Sequence, residues 1–386
     1  MPDMATVLYF RSPTPNNASV DELVGARDIA AKVGWQIRDF NIGADDIAGL
    51  IDFWQPAGII VESGEWTKDL DFGLFRNTPT VYLDHDPDKL PKNSFVVLHD
   101  SSETGLLAAR ELLSTDFPNF AFLPPVRDWW WAREREDGFA RGLKLNGFGY
   151  SRFKSSRTAP DTPAYSRQLR NFLAKLPKPC AVFAANDRAA ERVLTECRDL
   201  GLSCPGDIAL LGTDNDVTIC EHTKPSLSSI QPNFRRGGEL AAIMLLAVLR
   251  DGRRFRGERI RRYGNVDIIR RTSTLSPSST TDAETLAARE LIRREACNGL
   301  RAETVLGTYH CSRPTAARRF QQAAGRTILE EIHAVQLARI KSLLVDDGLQ
   351  LKSLADLCGF GNANSLRKFF LRETGMTMTA WRKRQA

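Results

Sequence analysis

Five polar side chains in the first two thirds of the chain carry the chemistry needed to bind a small polyhydroxylated molecule. Three of them, Asp100, Asp187 and Asp214, each come just after a short apolar run typical of a strand. Carboxylate oxygens accept pairs of hydroxyl hydrogens, whereas Arg135 and Asn186 can donate to ring and hydroxyl oxygens. Each residue alone has a simpler explanation, because an Asp after a strand is often a helix cap and Arg135 could be an ordinary surface charge.

A second set of residues, near the C-terminus, has the types and spacing to contact the bases of DNA. Residues 351–358 have helical apolar spacing, and Gly359-Phe360-Gly361 ends that helix because glycine permits the left-handed backbone of a tight turn. The next helix exposes Ala363, Asn364, Arg367 and Lys368. An earlier helix, capped by Ser312, exposes Arg313, Ala317 and Arg318.

The pattern of a helix, a turn and a second polar helix is typical of a helix-turn-helix. In that motif the second helix enters the major groove, where Asn can pair with adenine and Arg or Lys with guanine. The alternative is a surface helical hairpin whose basic face is only solvated. Asn364 is the best candidate for an adenine contact, since its amide donates and accepts at once.

The elements that must position the first set alternate between strands and helices. Short apolar runs at residues 6–10, 58–61 and 80–83 are separated by stretches of helical spacing, and a second series of such units begins near Phe95. This alternation predicts mostly parallel sheets covered by helices, an α/β fold. Ligands of such sheets bind beyond the carboxyl ends of the strands, which is where the three Asp residues lie.

The C-terminal part has a different organisation. Residues 272–281 (TSTLSPSSTT) lack charge and are rich in Ser and Thr, which is typical of a linker. Helical spacing continues from there to the end, including a long helix over about residues 328–344. The sequence therefore predicts a sensor domain over 1–271, a linker over 272–281 and an all-α domain over 282–386.

Charge and cysteine content limit the function. The chain carries a net charge of +6, and residues 282–386 alone hold 17 Lys+Arg against 11 Asp+Glu, so the excess lies in the C-terminal part, as phosphate binding requires. The 7 Cys are scattered without C-x-x-C pairs, which predicts free thiols and no zinc. The sequence contains no P-loop, no G-x-G-x-x-G and no G-x-S-x-G, and no cofactor or metal is expected.

The tail resembles the DNA-binding domain of AraC-type transcription regulators over about residues 282–382. The pattern positions of the second helix-turn-helix are filled by Leu351, Leu354, Ala355, Gly359, Phe360, Phe370, Gly375, Thr377, Trp381 and Arg382. Those of the first are filled by Ser312, Arg318, Phe320 and Gly325. Met378 replaces the usual proline and Gln336 a common arginine. The resemblance implies two helix-turn-helix motifs, with Arg318 at a position that is charged in the family.

The first 271 residues resemble the periplasmic-type sugar-binding domain of LacI-type repressors, most strongly from Phe95 onward. The likeness is carried by the segments VLHDSSETGLLAARELL, WWWAREREDGF, FAANDRAAERVL and GLSCPGDIALLGTDND. A LacI-type sensor followed by an AraC-type tail is the order found in XylR-like regulators. The Asp214-Asn215-Asp216 run followed by Cys220 is a close likeness to that group.

The resemblance implies a two-lobed type I sensor fold with the effector in the cleft. The residues at matching positions are Asp100, Trp131, Arg135, Asn186, Asp187, Asp214 and Asn215. Trp131 is chosen from three consecutive tryptophans only by its pattern position, and its ring would cover the apolar face of a sugar. At least one of the three tryptophans is expected in the core or in an interface.

Together these observations predict a cytoplasmic, sugar-responsive transcription regulator, an activator of a catabolic operon for a pentose such as xylose. The expected partners are operator or promoter DNA, the sugar, a second copy of the chain and RNA polymerase, with no membrane. Two alternatives remain open: an enzyme acting on a small polyol on the same α/β scaffold, and a DNA-binding protein whose sensor has lost its ligand.

Overall fold

The computed structural model describes residues 5–11, 17–41, 46–64, 67, 70–154, 162–275, 283–344 and 351–385. The strands are β1 Thr6–Arg11, β2 Gln36–Asn41, β3 Gly58–Glu62, β4 Thr80–Leu83, β5 Phe95–His99, β6 Asn119–Leu123, β7 Ser151–Arg152, β8 Cys180–Ala184, β9 Ile208–Thr213, β10 Ser228–Pro232, β11 Ile260–Tyr263 and β12 Asn265–Ile269. None of the helices in these ranges combines the length and apolarity needed to cross a bilayer.

The sensor helices flank the two sheets, and the remaining helices form the C-terminal domain. The sensor helices are α1 Asn17–Val33, α2 Ile47–Trp54, α3 Ser101–Leu113, α4 Trp130–Leu145, α5 Pro163–Lys175, α6 Asp187–Asp199, α7 Val217–Cys220 and α8 Phe234–Asp251. The C-terminal helices are α9 Ala283–Glu295, α10 Ala302–Leu306, α11 Arg313–Ala324, α12 Ile328–Leu343, α13 Leu351–Leu357, α14 Ala363–Thr374 and α15 Met378–Gln385.

Each lobe of the sensor is built on one six-stranded sheet. The N-lobe sheet has the order β11-β5-β4-β3-β1-β2 and is parallel throughout. The C-lobe sheet has the order β12-β10-β9-β8-β6-β7, with β12 antiparallel to β10. The central strands are buried on both faces, as helices packed on both sides of a parallel sheet require. The predicted α/β class and two-lobed architecture are confirmed.

The chain passes between the lobes three times, after β5, between β10 and α8, and between β11 and β12. Backbone hydrogen bonds tie the crossings together, from Asp100 N to Tyr263 O at 2.8 Å and from Asn233 N to Gly264 O at 3.0 Å. His99 Nε2 lies 3.1 Å from Asn265 Oδ1 in the same region. Burial, followed by the nearby Arg135 charge, lowers the pKa of His99 to about 3, so the crossing holds a neutral imidazole.

Helices α3 and α4 pack so closely that only glycine fits at their crossing. A Cβ on Gly105 would lie 2.0 Å from Arg135 O, and a Cβ on Gly138 would lie 2.1 Å from Ser102 O. This approach places Arg135, on α4, against the centre of the C-lobe. The position of that guanidinium therefore depends on the backbone of two helices rather than on a flexible loop.

The C-terminal domain contains two helix-turn-helix units, α10–α11 and α13–α14, each with its own apolar core. The first core includes Ile292, Phe320 and Ile332, and the second includes Ile340, Leu366 and Phe370. Helix α12, the long helix predicted over about residues 328–344, contributes side chains to both cores.

Two contacts fix the units against each other. The buried Gln336 donates through Nε2 to Ala296 O at 3.0 Å and to Cys358 O at 3.3 Å, so one amide joins both units. Gly359 has φ +77°, and a Cβ there would lie 2.6 Å from Cys297 O. A glycine is required at this position both for its left-handed backbone and for the close approach.

Two features differ from what the sequence suggested. Strand β11 was not expected, because its basic sequence IRRY does not read as an apolar run; it lies at the edge of the N-lobe sheet, where its arginines reach solvent. The linker does not begin at Thr272. Residues 272–274 form a buried 3₁₀ turn in which Ser273 Oγ donates to Leu210 O at 2.6 Å. Of the predicted linker, residues 276–281 lie outside the described residues.

We predict that Gly359→Ala destabilises the second helix-turn-helix unit by roughly 1–3 kcal/mol, because the new methyl group must either move Cys297 or displace α13. Hydrogen exchange of α13 and α14 amides measures this local free energy of opening. Gly361→Ala is the matched control, since a Cβ there meets nothing within 4 Å. Equal exchange in the two variants would show that the contact between the units carries no stability.

Candidate effector cleft and DNA-reading surface

Arg135 and Asp214 form the centre of the candidate effector site. The Arg135 guanidinium donates through one terminal nitrogen to Ala185 O at 2.5 Å, and both terminal nitrogens lie 3.4 Å from Asp214 Oδ1. The side chain of Arg135 is 5% exposed and that of Asp214 is 35% exposed, so the carboxyl group is the member open to the cleft. Within the described ranges, Arg135 Nε is buried and has no hydrogen-bond partner. The pair therefore presents a carboxyl group to the cleft and holds it with a buried cation.

The backbone at Asp214 and Asn215 is strained. Their φ angles are 106° and 48°, a region that residues with a side chain rarely adopt. Such strain persists where the surrounding structure holds it and is frequent at functional sites. Burial raises the pKa of Asp214, and the nearby Arg135 charge opposes part of this rise. The resulting pKa is about 6.

Asp187 holds this strained turn from inside the lobe. One carboxyl oxygen accepts from Ser229 Oγ at 2.7 Å, and the other accepts from Asp216 N at 2.8 Å and Cys220 Sγ at 3.3 Å. The side chain is almost fully buried. The sequence interpretation of Asp187 as a ligand contact therefore needs correction, because the buried side chain is closed off from the cleft and protein donors occupy both of its oxygens. Burial, and then the nearby Asp214, raise the pKa of Asp187 to about 8.

Asp100, Asn186 and Asn215 lie at the cleft edge but use their side chains within the protein. Asp100 caps α3 by accepting from Glu103 N at 2.9 Å, and Asn186 caps α6 by accepting from Ala189 N at 3.0 Å. Asn215 Oδ1 accepts from Arg271 at 2.9 Å, on the side away from Asp214. The helix-cap alternative thus describes the first two, and the Asn186 cap uses only the amide oxygen.

The three consecutive tryptophans divide between the lobes. Trp129 and Trp131 stack with ring centroids 6.5 Å apart and pack on the C-lobe core, and the Arg135 guanidinium lies 4.6 Å from the Trp131 ring centroid. Trp130, on the same helix, packs instead against the N-lobe core. Trp131 thus lies beside Arg135, and Trp130 is an interface residue that links the lobes.

Asp84 forms the N-lobe wall and was missed from the sequence. It follows β4 with φ 56°, and its carboxyl group accepts from His99 N at 2.6 Å and from Tyr263 Oη at 2.5 Å. It belongs to the N-lobe and lies near enough to Arg135 and Asp214 of the C-lobe to interact electrostatically with both. The polar run after β4 and the position just past a strand were the available signals in the sequence.

Two further carboxyl groups lie behind Asp84. Glu22 is 3.3 Å from Tyr263 Oη, and Glu62 accepts from Ser19 Oγ at 2.8 Å. Burial raises the pKa of Glu62 to about 7, and burial together with Glu62 raises the pKa of Glu22 well above its usual range. No Lys or Arg within the described segments forms an ion pair with these groups. The Tyr9 hydroxyl, buried among them, also has no hydrogen-bond partner there.

The candidate DNA-reading surface consists of the exposed residues on α11 and α14, the second helix of each helix-turn-helix unit. Arg313, Ala317, Arg318, Asn364, Arg367 and Lys368 are exposed, whereas Ala363 is half-buried. Asn362 caps α14 by accepting from Ser365 N at 2.9 Å, so Asn364 is left unengaged by the cap. Arg313 lies 3.7 Å from Glu303, and both side chains are largely exposed.

Comparison with known proteins agrees with this division. A periplasmic binding protein-like domain matches residues 109–274, and a helix-turn-helix domain of AraC type matches residues 307–384. Fold and site therefore define a DNA-binding transcription regulator whose sensor is of the periplasmic binding protein type. More particularly, the chain is similar to XylR-like regulators of the AraC family, in which such a sensor precedes a double helix-turn-helix domain.

Similar proteins match the chain over much of its length or nearly all of it. The chain is similar to the xylose operon regulatory protein of Escherichia coli strain K12, at 29% identity over 97% of this chain and 96% of the relative. It is 26% identical to the protein of that name from Haemophilus influenzae, over 65% of each chain. The structure of the xylose-binding transcription activator XylR matches with a TM-score of 0.59 at 22% identity, over 99% of this chain and 98% of that one.

We predict that Glu62→Gln stabilises the sensor at high pH. The pKa of Glu62 rises from 4.5 to about 7 on folding. The folded state thus keeps a proton that the unfolded state loses over that range, and wild-type stability falls as pH rises through it. The amide removes this cost, so the variant should be more stable by roughly 1–3 kcal/mol at pH 8 and nearly equal at pH 4.5.

Urea unfolding of the sensor at several pH values measures this difference. Glu258→Gln is the control, because Glu258 is exposed and should show no pH-dependent difference from wild type. A constant offset between Glu62→Gln and wild type at all pH values would contradict the assigned cause.

Proposed function

We propose that the protein is a cytoplasmic transcription regulator that responds to a pentose, xylose or a sugar of related hydroxyl pattern. The observation that carries this proposal is the Arg135–Asp214 pair at the base of the cleft with Asp84 opposite. The sugar itself is suggested by the names of the relatives, since the same fold accommodates different ligands.

The cleft chemistry suits an uncharged polyol. Asp214 supplies an open carboxyl group from the C-lobe, beside the Arg135 guanidinium. The half-buried Asp84 faces it from the N-lobe, with the lone pairs that its bonds to His99 N and Tyr263 Oη leave free. The Trp131 ring, beside Arg135, covers an apolar face such as that of a pyranose. A sugar bound between Asp84 and Asp214 contacts both lobes at once, so it stabilises the closed arrangement over the open one.

Closure is supported by direct contacts between the lobes. Arg262, on β11 of the N-lobe, donates two hydrogen bonds of 2.8 Å to the Glu134 carboxylate on α4 of the C-lobe. Trp130 packs on the N-lobe core from the same helix. We propose that these contacts break when the lobes open, and that the sugar shifts the population toward the closed form.

The wider assembly is also part of the proposal. Two copies bind operator or promoter DNA as a dimer, and the regulator activates transcription through RNA polymerase. The sensor extends to about residue 275, and the DNA-binding domain begins near residue 283. The two recognition helices of each chain, held by α12, face successive major-groove segments about 34 Å apart. No catalytic role is proposed for the cleft, although an enzyme acting on a small polyol remains the alternative.

We predict that Arg135→Ala and Asp214→Ala each weaken sugar binding by about 2–5 kcal/mol, because each leaves the other charged group unpaired in the cleft. Isothermal titration calorimetry with D-xylose and other pentoses measures this loss. Arg133→Ala is the matched control, since Arg133 lies on the same helix but pairs with Asp128 at the surface. Unchanged affinity in both cleft variants would place the effector elsewhere, and turnover of any sugar would favour the enzyme.

We predict that Arg318→Ala costs roughly 1–3 kcal/mol in binding to a duplex selected by the wild-type protein from a randomised pool, and relaxes the preference at one base position. Arg301→Ala, at an exposed arginine before α10, should change neither quantity. Titrations against single-base variants of that duplex decide the matter. If Arg318→Ala weakens all sequences equally, the first unit contacts the DNA backbone and only the second reads bases.

A further inference from the structure

Two residues on one side of α9 hold the DNA-binding domain against the sensor. Glu290 Oε2 accepts hydrogen bonds from Ser226 Oγ at 2.8 Å and from Thr272 Oγ1 at 2.9 Å, both in the sensor. Arg293, one turn further along, donates to Glu221 of the sensor and to Glu290 Oε1. The Arg293 side chain is 14% exposed, so this is a shielded contact in which charges interact more strongly than on an open surface.

On the sensor side the contact is anchored by Arg271, whose side chain is buried. Its guanidinium donates to Glu221 Oε1 at 2.8 Å, to Leu227 O at 2.9 Å and to Asn215 Oδ1 at 2.9 Å. Glu221 therefore lies between two guanidinium groups, with one carboxylate oxygen bonded to Arg271 and the other to Arg293. We call Asn215, Arg271, Glu221, Arg293 and Glu290 the junction cluster.

The junction cluster begins at the effector cleft. Asn215 directly follows Asp214, whose carboxyl group faces Arg135, and Ser229 Oγ accepts from Asn215 N at 3.0 Å. Helix α7 starts two residues later and ends at Cys220, immediately before Glu221. One short segment, residues 214–221, thus has an effector contact at its first residue and a domain contact at its last.

The cluster ends in the core of the first helix-turn-helix unit. The other side of α9 contributes Ala288 and Ile292 to that core. Arg289 also lies 3.3 Å from Glu331 on α12. A displacement of α9 therefore moves packed side chains of the DNA-reading unit, because a close-packed core does not deform continuously.

We infer that the junction cluster is a docking surface through which occupancy of the cleft sets the position of the DNA-binding domain. Engagement of Asp214 changes the placement of the 214–221 segment, Glu221 carries that change to Arg293, and α9 passes it to the first helix-turn-helix unit. The inference rests on the proposed function for the nature of the signal, while the docking contact itself is independent of which ligand binds.

The first experiment measures the coupling between the two sites in the full-length chain. The quantity is the ratio of the dissociation constants for the selected duplex without and with saturating D-xylose. Coupled sites typically give ratios of about 5 to 150. We expect Arg293→Ala to bring the ratio below about 2 while D-xylose affinity, measured by calorimetry, stays within about twofold of wild type.

Two variants control for nonspecific effects of changing α9. Arg294→Ala removes the neighbouring arginine, which is exposed and bonds only to Glu295 among the contacts described, and it should keep the wild-type ratio. Arg293→Lys retains the charge opposite Glu221 and should keep part of the ratio. A wild-type ratio in Arg293→Ala overturns the inference.

A second experiment needs no ligand. Asn215→Ala removes the acceptor for Arg271, so the cluster should loosen and the amides of α9 should exchange hydrogen at least several-fold faster in the full-length chain. Arg133→Ala, a sensor variant outside the cluster, should leave that exchange unchanged. Unaltered exchange of α9 in both Asn215→Ala and Arg293→Ala also overturns the inference.

The two experiments separate the inference from the proposed function. If no sugar binds the wild-type chain but α9 loosens in Asn215→Ala, the proposed effector is wrong and the docking surface stands. If D-xylose binds and shifts operator affinity equally in wild type and Arg293→Ala, the proposed function stands and the signal travels by another route.

Discussion

One buried carboxyl group, that of Asp187, supports both functional regions of the sensor. Its hydrogen bonds to Ser229, Asp216 and Cys220 hold a turn whose first two residues have positive φ angles. That turn directs Asp214 toward Arg135 in the cleft and Asn215 toward Arg271 at the domain junction. Burying a carboxyl group is unfavourable unless donors compensate, and three donors converge here. Without these three hydrogen bonds, nothing would offset the conformational cost of the strained backbone in this turn.

The two walls of the cleft use carboxyl groups under opposite conditions. On the C-lobe side Asp214 has a cationic partner, whereas on the N-lobe side Asp84, Glu22 and Glu62 share tyrosine and serine hydroxyl groups. Desolvation without a cation favours the protonated form, which can donate as well as accept hydrogen bonds. The N-lobe wall therefore presents Asp84 to the cleft, with the buried Glu22 and Glu62 behind it.

The two helix-turn-helix units of the C-terminal domain form one body because they share a helix and direct contacts. Helix α12 supplies both apolar cores, Gln336 bridges the two units, and Gly359 lets them approach closely. Helix α9 has two functional sides, one bonded to the sensor and one packed in the first core. A DNA-binding domain joined in this way can move as one body. This suits control of DNA binding by a change in domain position rather than by unfolding.

The sequence by itself determined the features that depend on local periodicity. Alternating strands and helices, the two helix-turn-helix units and the exposure of Arg318 and Asn364 all follow from spacing of 2.0 or 3.6 residues along one segment. Arg135 and Asp214 were also recognisable, from their residue types and from the family pattern. Only the tertiary structure decided which polar groups face the candidate cleft, because their partners are far apart along the chain. Asp187 is buried inside the lobe, and Trp130 packs against the N-lobe core. Asp84 accepts a hydrogen bond from Tyr263, which lies on β11, a strand that local spacing did not predict. The first residues of the predicted linker, 272–274, are likewise part of the sensor. Ser and Thr are polar, yet they can be buried when their hydroxyl groups form hydrogen bonds, as Ser273 does with Leu210 O.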